Sequence, residues 1–173
     1  MLQSQHGLHL LRLEKNANCD KLDQLPAALF RGHGGVMVLE LSATLQGRLT
    51  RWAQAGYPRE CCGLLLGRVN DGVVHVDDVL QARNANAERA GDRYELDAQD
   101  FLRADAQARA RQLDVVGVWH THPDHPARPS ATDRAHAWDG WSYLILAVGA
   151  QGVDALRSWR LDGEEFVEEA VRP

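Results

Sequence analysis

Cysteine is scarce in this chain, with 3 among 173 residues, and Cys61 and Cys62 are adjacent, which is a poor arrangement for a disulfide framework. Such a set fits a reducing compartment. Long apolar runs are missing too. The longest uncharged, apolar-rich stretch, Trp141 to Val153, is well short of the roughly 20 residues that a membrane-spanning helix needs. The opening residues hold no basic segment followed by an apolar one and a small-residue cleavage site, so no secretory signal is read and the expected location is cytoplasmic. Positive charge is also in deficit. Against 24 acidic residues stand 19 basic ones, for a net charge of -5, and no Lys/Arg stripe forms a track for phosphates. The expected partners therefore include neither nucleic acid nor membrane.

What is present suits one soluble domain. The composition, 45% hydrophobic and 25% charged, is that of an ordinary globular protein, and the length allows a single core. Residues 1–34 show little periodicity, contain Asn16, Asn18 and Pro26, and end in Gly32 and Gly34, with Gly35 next. They read as an N-terminal extension, loosely attached, ahead of a domain at 35–173. In that domain Val36 to Leu39 suggests a strand, and Ser42 caps a helix with Leu45, Leu49 and Trp52 on one face, ending at Gly56 and Pro58. Cys61 to Val69 and Val73 to Leu80 form a hairpin across Asn70-Asp71-Gly72. After a polar loop, Arg93 to Leu96 suggests a short strand. Asp97 caps a helix to about Gln112, with Leu102, Ala106 and Leu113 as its buried face. Val115 to Trp119 reads as a central strand running into His120. A proline-rich loop, a short helix from Ala131 to Trp138 and strands at Tyr143–Val148, Val153–Leu161 and Glu164–Val171 follow. Strands and helices mix without strict alternation, so the expected class is α+β, a mixed-sheet sandwich flanked by helices and not a repeated βαβ barrel.

Side chains two apart on a strand share a side, so His120 and His122 can present both imidazoles to one point. A carboxylate such as Asp133 can complete a three-ligand zinc set that leaves the fourth tetrahedral position open for water. A hydrolytic water also needs a proton acceptor, and Glu60 is the candidate base. Each piece has a plain alternative. A lone His-x-His is common among surface histidines. Ser130-x-x-Asp133 also reads as a helix cap with an acidic residue in the first turn, and Glu60 alone could be a solvated strand-end carboxylate. His125 and His136 read as surface residues. Cys61 and Cys62 read as small apolar side chains rather than nucleophiles, and Trp119, Trp138 and Trp141 as core or pocket wall.

The joint order Glu60, His120-Thr121-His122-Pro123, Ser130-Ala131-Thr132-Asp133 resembles the signature of the JAMM (MPN+) metalloproteases. The context Pro58-Arg59-Glu60-Cys61-Cys62-Gly63-Leu64-Leu65-Leu66-Gly67 resembles their bacterial branch. The resemblance covers about Val36 to Val148. It implies a cytidine-deaminase-like fold, one Zn2+ on His120, His122 and Asp133, a general acid/base at Glu60, and Ser130 as an oxyanion hydrogen-bond donor. It further implies peptidase or isopeptidase action after the C-terminal Gly-Gly of a ubiquitin-like sulfur-carrier protein, releasing an amino acid such as cysteine or a short extension. The strands after Asp133 leave no room for the long insertion of the eukaryotic deubiquitinases, which makes polyubiquitin a poor expectation. The alternative is a non-catalytic MPN-type scaffold. A RadC-like reading fits poorly, because Asp124-His125 follows the His122-Pro123 pair.

Overall fold

The structure, a computed structural model, describes residues 38–86 and 93–173. The N-terminal extension read at 1–34, the first residues of the strand read from Val36, and part of the polar loop at 87–92 lie outside the described residues.

The first strand, β1 (Val38–Glu40), leads into α1 (Ala43–Gly56). The Ser42 side chain accepts from the Leu45 N–H at 3.4 Å, which starts the helix. Leu45, Leu49 and Ala53 recur at helical spacing and are buried. A hairpin of β2 (Cys62–Asn70) and β3 (Val73–Ala82) follows. Its turn places Asp71 at φ 50° and Gly72 at φ 79°, the doubly positive geometry that matches the twist of a tight hairpin. Then come α2 (Ala98–Ala110), β4 (Asp114–Pro123), α3 (Ala131–Ala135), β5 (Ser142–Gly149), β6 (Gly152–Asp162) and β7 (Glu165–Arg172).

The strands are hydrogen-bonded in the order β1-β3-β2-β4-β5-β6-β7 and the sheet closes on itself. The expectation of an α+β protein with a mixed sheet and flanking helices holds, but the sandwich is corrected to a closed barrel. The closing element is β1, only 3 residues long, which runs parallel to β3 on one side and to β7 on the other. Without it, β3 and β7 would be open sheet edges. So short a segment, just ahead of the Ser42 helix cap, carries no pattern from which its two partners could be read.

Two further expectations are corrected. Arg93 to Leu96 is not a strand: it joins the fold through the isolated bridge Asn84–Leu96 and a bond from the Ala85 N–H to the Glu95 carbonyl. The inner face of α2 is Ala104 and Ala108, with Phe101 packed alongside and Leu113, just past the helix, buried as expected, whereas Leu102 is 64% exposed and Ala106 is exposed too. Phe101 is one position earlier in the helix and carries an aromatic ring. It meets Trp138 edge-on at 5.9 Å and stacks on Trp141 at 6.2 Å, and this orientation turns Leu102 outward.

For function the important strand is β4, paired antiparallel with β2 and parallel with β5. Its last eight residues are all buried. A parallel neighbour requires a crossover connection. The crossover from β4 to β5 carries the proline-rich loop and α3 across the end of β4.

Candidate metal and catalytic site

On β4 the side chains alternate, so His120 and His122 face the α2 side while Trp119 and Thr121 face the other. Trp119 is buried in the core shared with α1, and its indole N–H donates to the Leu80 carbonyl at 2.9 Å. Thr121 is buried as well. Its Oγ1 accepts from the Cys61 N–H and its own N–H donates to the Cys61 carbonyl, both at 2.9 Å. The residue between the two histidines thus fastens the segment that begins with Glu60 to the end of β4.

The imidazoles converge: His120 Nε2 and His122 Nε2 are 3.0 Å apart. Asp133 Oδ1 lies 3.3 Å from His120 Nε2, and Asp133 Oδ2 lies 3.7 Å from His122 Nε2. All three residues are buried. Among the described residues, this is the one group of three or more His, Cys, Asp and Glu side chains that converges closely enough to hold a metal ion. His125 and His136 are exposed and outside it.

The capping and ligand readings of Asp133 turn out to be compatible. Ser130 and Asp133 form a full capping box on α3: Asp133 Oδ2 accepts from the Ser130 N–H at 2.6 Å, and the Ser130 hydroxyl oxygen accepts from the Asp133 N–H at 3.1 Å. The cap fixes the carboxylate and leaves Oδ1 toward His120. The Ser130 hydroxyl caps with a lone pair, which leaves its proton to donate, and the Asp133 carboxylate is one acceptor that it reaches.

The electrostatics suit a cation. Burial pushes the His120 pKa down to about 4, aided by the charge of His122 and opposed by Asp133, so this ring is neutral at pH 7. His122 is also desolvated, but the hydrogen bond to Asp133, the Pro126 carbonyl and the charges of Asp133 and Glu60 outweigh burial and raise its pKa. Asp133 is held well below the usual carboxylate range: desolvation opposes ionisation, and His122, His120 and Ser130 overcome it. His122 Nδ1 faces the Pro126 carbonyl at 3.0 Å. A carbonyl only accepts, so Nδ1 carries a proton and, in the neutral ring, Nε2 keeps its lone pair for the cluster. Two imidazole nitrogens and a carboxylate oxygen turned toward one another need a proton or a cation between them, and this donor set fits a metal with an open coordination position.

Glu60 is buried just ahead of β2, close enough for its charge to raise the pKa of both His122 and Tyr94. Two neighbours were not singled out from sequence. Tyr94 stacks on His120 with ring centroids 4.4 Å apart, and Asn84 Nδ2 donates to the Glu60 carbonyl at 3.3 Å. Thr121 could have been found by strand alternation. A lone Asn and a lone Tyr in a polar loop gave no signal.

Residues 42–162 match a family described as prokaryotic homologs of the JAB domain. The chain belongs to the prokaryotic JAB family. Within it, the chain is 31% identical over 138 residues to a desampylase of Haloferax volcanii, covering 77% of this chain and 94% of the relative. It is 30% identical over 140 residues to a CysO-cysteine peptidase of Mycobacterium tuberculosis, covering 80% and 92%. The solution structure of a Salinibacter ruber protein shares 42% identity at a TM-score of 0.60, over 78% of this chain and 90% of that one. The JAB match spans both sides of the site, from the Ser42 cap of α1 to the end of β6. Its relatives' names indicate a hydrolase. No helix among the described residues is long and apolar enough to cross a membrane.

Proposed function

We propose that this JAB domain is a zinc peptidase that hydrolyses the bond after the C-terminal Gly-Gly of a ubiquitin-like sulfur-carrier protein, releasing an amino acid such as cysteine or a short extension. The observation that carries the reading is the buried convergence of His120, His122 and Asp133 beside Glu60. The names of two relatives, a desampylase and a CysO-cysteine peptidase, support the substrate class.

In this reading His120, His122 and Asp133 hold one zinc ion. When bound, it supplies Lewis acidity that polarises the scissile carbonyl and lowers the pKa of water toward about 7. Glu60 takes a proton from the attacking water and returns it to the leaving amine. The Ser130 hydroxyl, whose proton the cap does not use, donates to the developing oxyanion. Asp133 is fixed by the capping box and His122 by the Pro126 carbonyl, so two of the three ligands are oriented before any ion arrives. The domain at 35–173 carries the activity, and residues 1–34 are an appended segment.

The test is mass measurement. The zinc-loaded chain incubated with a carrier bearing residues beyond Gly-Gly should yield a product lighter by that extension. An unchanged mass at stoichiometric enzyme would overturn the reading.

Proton competition gives a second expected result. His120 stays neutral down to about pH 4 and Asp133 stays ionised, so His122, whose pKa is raised above 6.5, is the one ligand that must lose a proton as the metal enters. Below the His122 pKa, zinc affinity should fall by about tenfold for each unit of pH lost, the slope of one released proton. Chelator competition between pH 5 and 6.5 measures it, and a slope of two would mean that both imidazoles are protonated in the metal-free protein.

A further inference from the structure

The segment 93–95 lies against the site without a strand ladder to hold it. Beside the backbone bond from the Ala85 N–H to the Glu95 carbonyl at 2.8 Å, one side chain supplies three further bonds to the segment and its approach, and a fourth to Glu60. Asn84 lies two residues past the end of β3. Its Nδ2 donates to the Glu60 carbonyl at 3.3 Å and to the Arg93 carbonyl at 3.0 Å. Its Oδ1 accepts from the N–H groups of Asn86 and Glu95, both at 3.0 Å. A carboxamide has two donor hydrogens and two acceptor lone pairs, and all of them are used. Glu60 lies outside the β2 ladder, which begins at Cys62. Between the bonded residues 93 and 95 sits Tyr94, whose ring lies on His120 at 4.4 Å and 27° from parallel.

We propose that Asn84 is a positioning residue that clamps the two halves of the site together, tying the backbone of the base Glu60 to the loop that lays Tyr94 on the ligand His120. The inference rests on the peptidase reading for the roles of Glu60 and His120. The chemistry of the side chain makes the clamp specific. Aspartate keeps both acceptor bonds but cannot donate to the Glu60 and Arg93 carbonyls, and alanine keeps none. Displacement of a reacting group by about 1 Å lowers turnover by about 100-fold, so a base released from its anchor should register mainly in kcat.

The experiment uses the full zinc-loaded chain with Asn84→Ala and Asn84→Asp. The expected result is a loss of kcat of about 10- to 100-fold with KM within about threefold, and zinc content unchanged. In the Glu60→Gln background, adding Asn84→Ala should cause little further loss, because Asn84 acts through the group already disabled; independent effects would multiply. Amide exchange at Asn86 and Glu95 should accelerate in Asn84→Ala, and the visible spectrum of the cobalt-substituted protein should shift as the Tyr94 loop loosens over His120. If Asn84→Ala does not fold, Asn84→Asp, which retains the acceptor bonds, carries the same kinetic expectation. A kcat within twofold of wild type in either folded variant, or full multiplicativity with Glu60→Gln, would overturn the clamp. Should the wild-type chain cleave no carrier at all, the peptidase reading fails instead. The clamp is then decided by amide exchange and the cobalt spectrum, and no change in either would overturn it.

Discussion

Glu60→Gln is expected to leave zinc bound at one ion per chain while lowering kcat by about 10²- to 10⁴-fold, the usual contribution of a positioned general acid/base. Gln is nearly isosteric with Glu, so the packing of this buried position between Arg59 and the start of β2 is conserved. The amide oxygen can still accept a hydrogen bond, but it cannot take up the proton of the attacking water or hand one to the leaving amine. Zinc should remain because Glu60 is not one of the converging ligands. Metal analysis of the purified variant and a carrier-cleavage time course read the two halves of the expectation separately. Retained turnover would remove Glu60 from the role of base. Loss of zinc would make it a structural support of the ligand set instead. Removal of the Glu60 charge should also lower the pKa of His122, since that charge is among the causes that raise it, so the acid limb of zinc binding should move to lower pH in this variant.

The candidate site was legible in sequence because its chemistry rides on regular elements. His120 and His122 share a face by strand alternation, and Ser130 and Asp133 are placed by a capping box, a local pattern of three-residue reach. Both features are short-range, and short-range rules need no knowledge of the fold. Glu60 was legible only through the joint order of the motif, because its approach to the histidines depends on the pairing of β2 with β4 and on Thr121 reaching across to Cys61. The sequence pattern reads as a sandwich and not as a barrel for the same kind of reason. Closure rests on the parallel pairing of β1 with strands distant in sequence, and the alternation within each strand is identical in either architecture. On α2, two apolar stripes of similar strength, Phe101-Ala104-Ala108 and Leu102-Ala106, compete for the inner face, and only Trp138 and Trp141 on a later segment decide between them. Trp138 itself keeps 39% of its surface exposed, whereas Trp119 and Trp141 are buried as expected. Asn84 and Tyr94 are illegible by this logic, because their partners are backbone groups and a ring brought close by tertiary packing alone.

Asp133→Asn should separate the two jobs of that side chain. The amide oxygen can replace Oδ2 as acceptor for the Ser130 N–H, now 2.6 Å from it, so α3 should keep its cap and the melting temperature of the metal-free protein should change little. The metal should respond very differently. Asp133 is the sole anionic member of the converging set, and its Oδ1 is turned toward His120 Nε2 at 3.3 Å. Loss of a group that merely supports a ligand costs about 10- to 100-fold in metal affinity. Removal of a ligand charge should therefore cost more than about 100-fold, and turnover should fall with zinc occupancy. Excess zinc distinguishes the causes. If activity returns as zinc is raised through the weakened dissociation constant, Asp133 serves mainly to hold the ion. If the variant stays inactive when saturated, the carboxylate also sets the electrostatics of the reaction. Affinity equal to that of the unaltered chain would remove Asp133 from the ligand set and leave it as a helix cap.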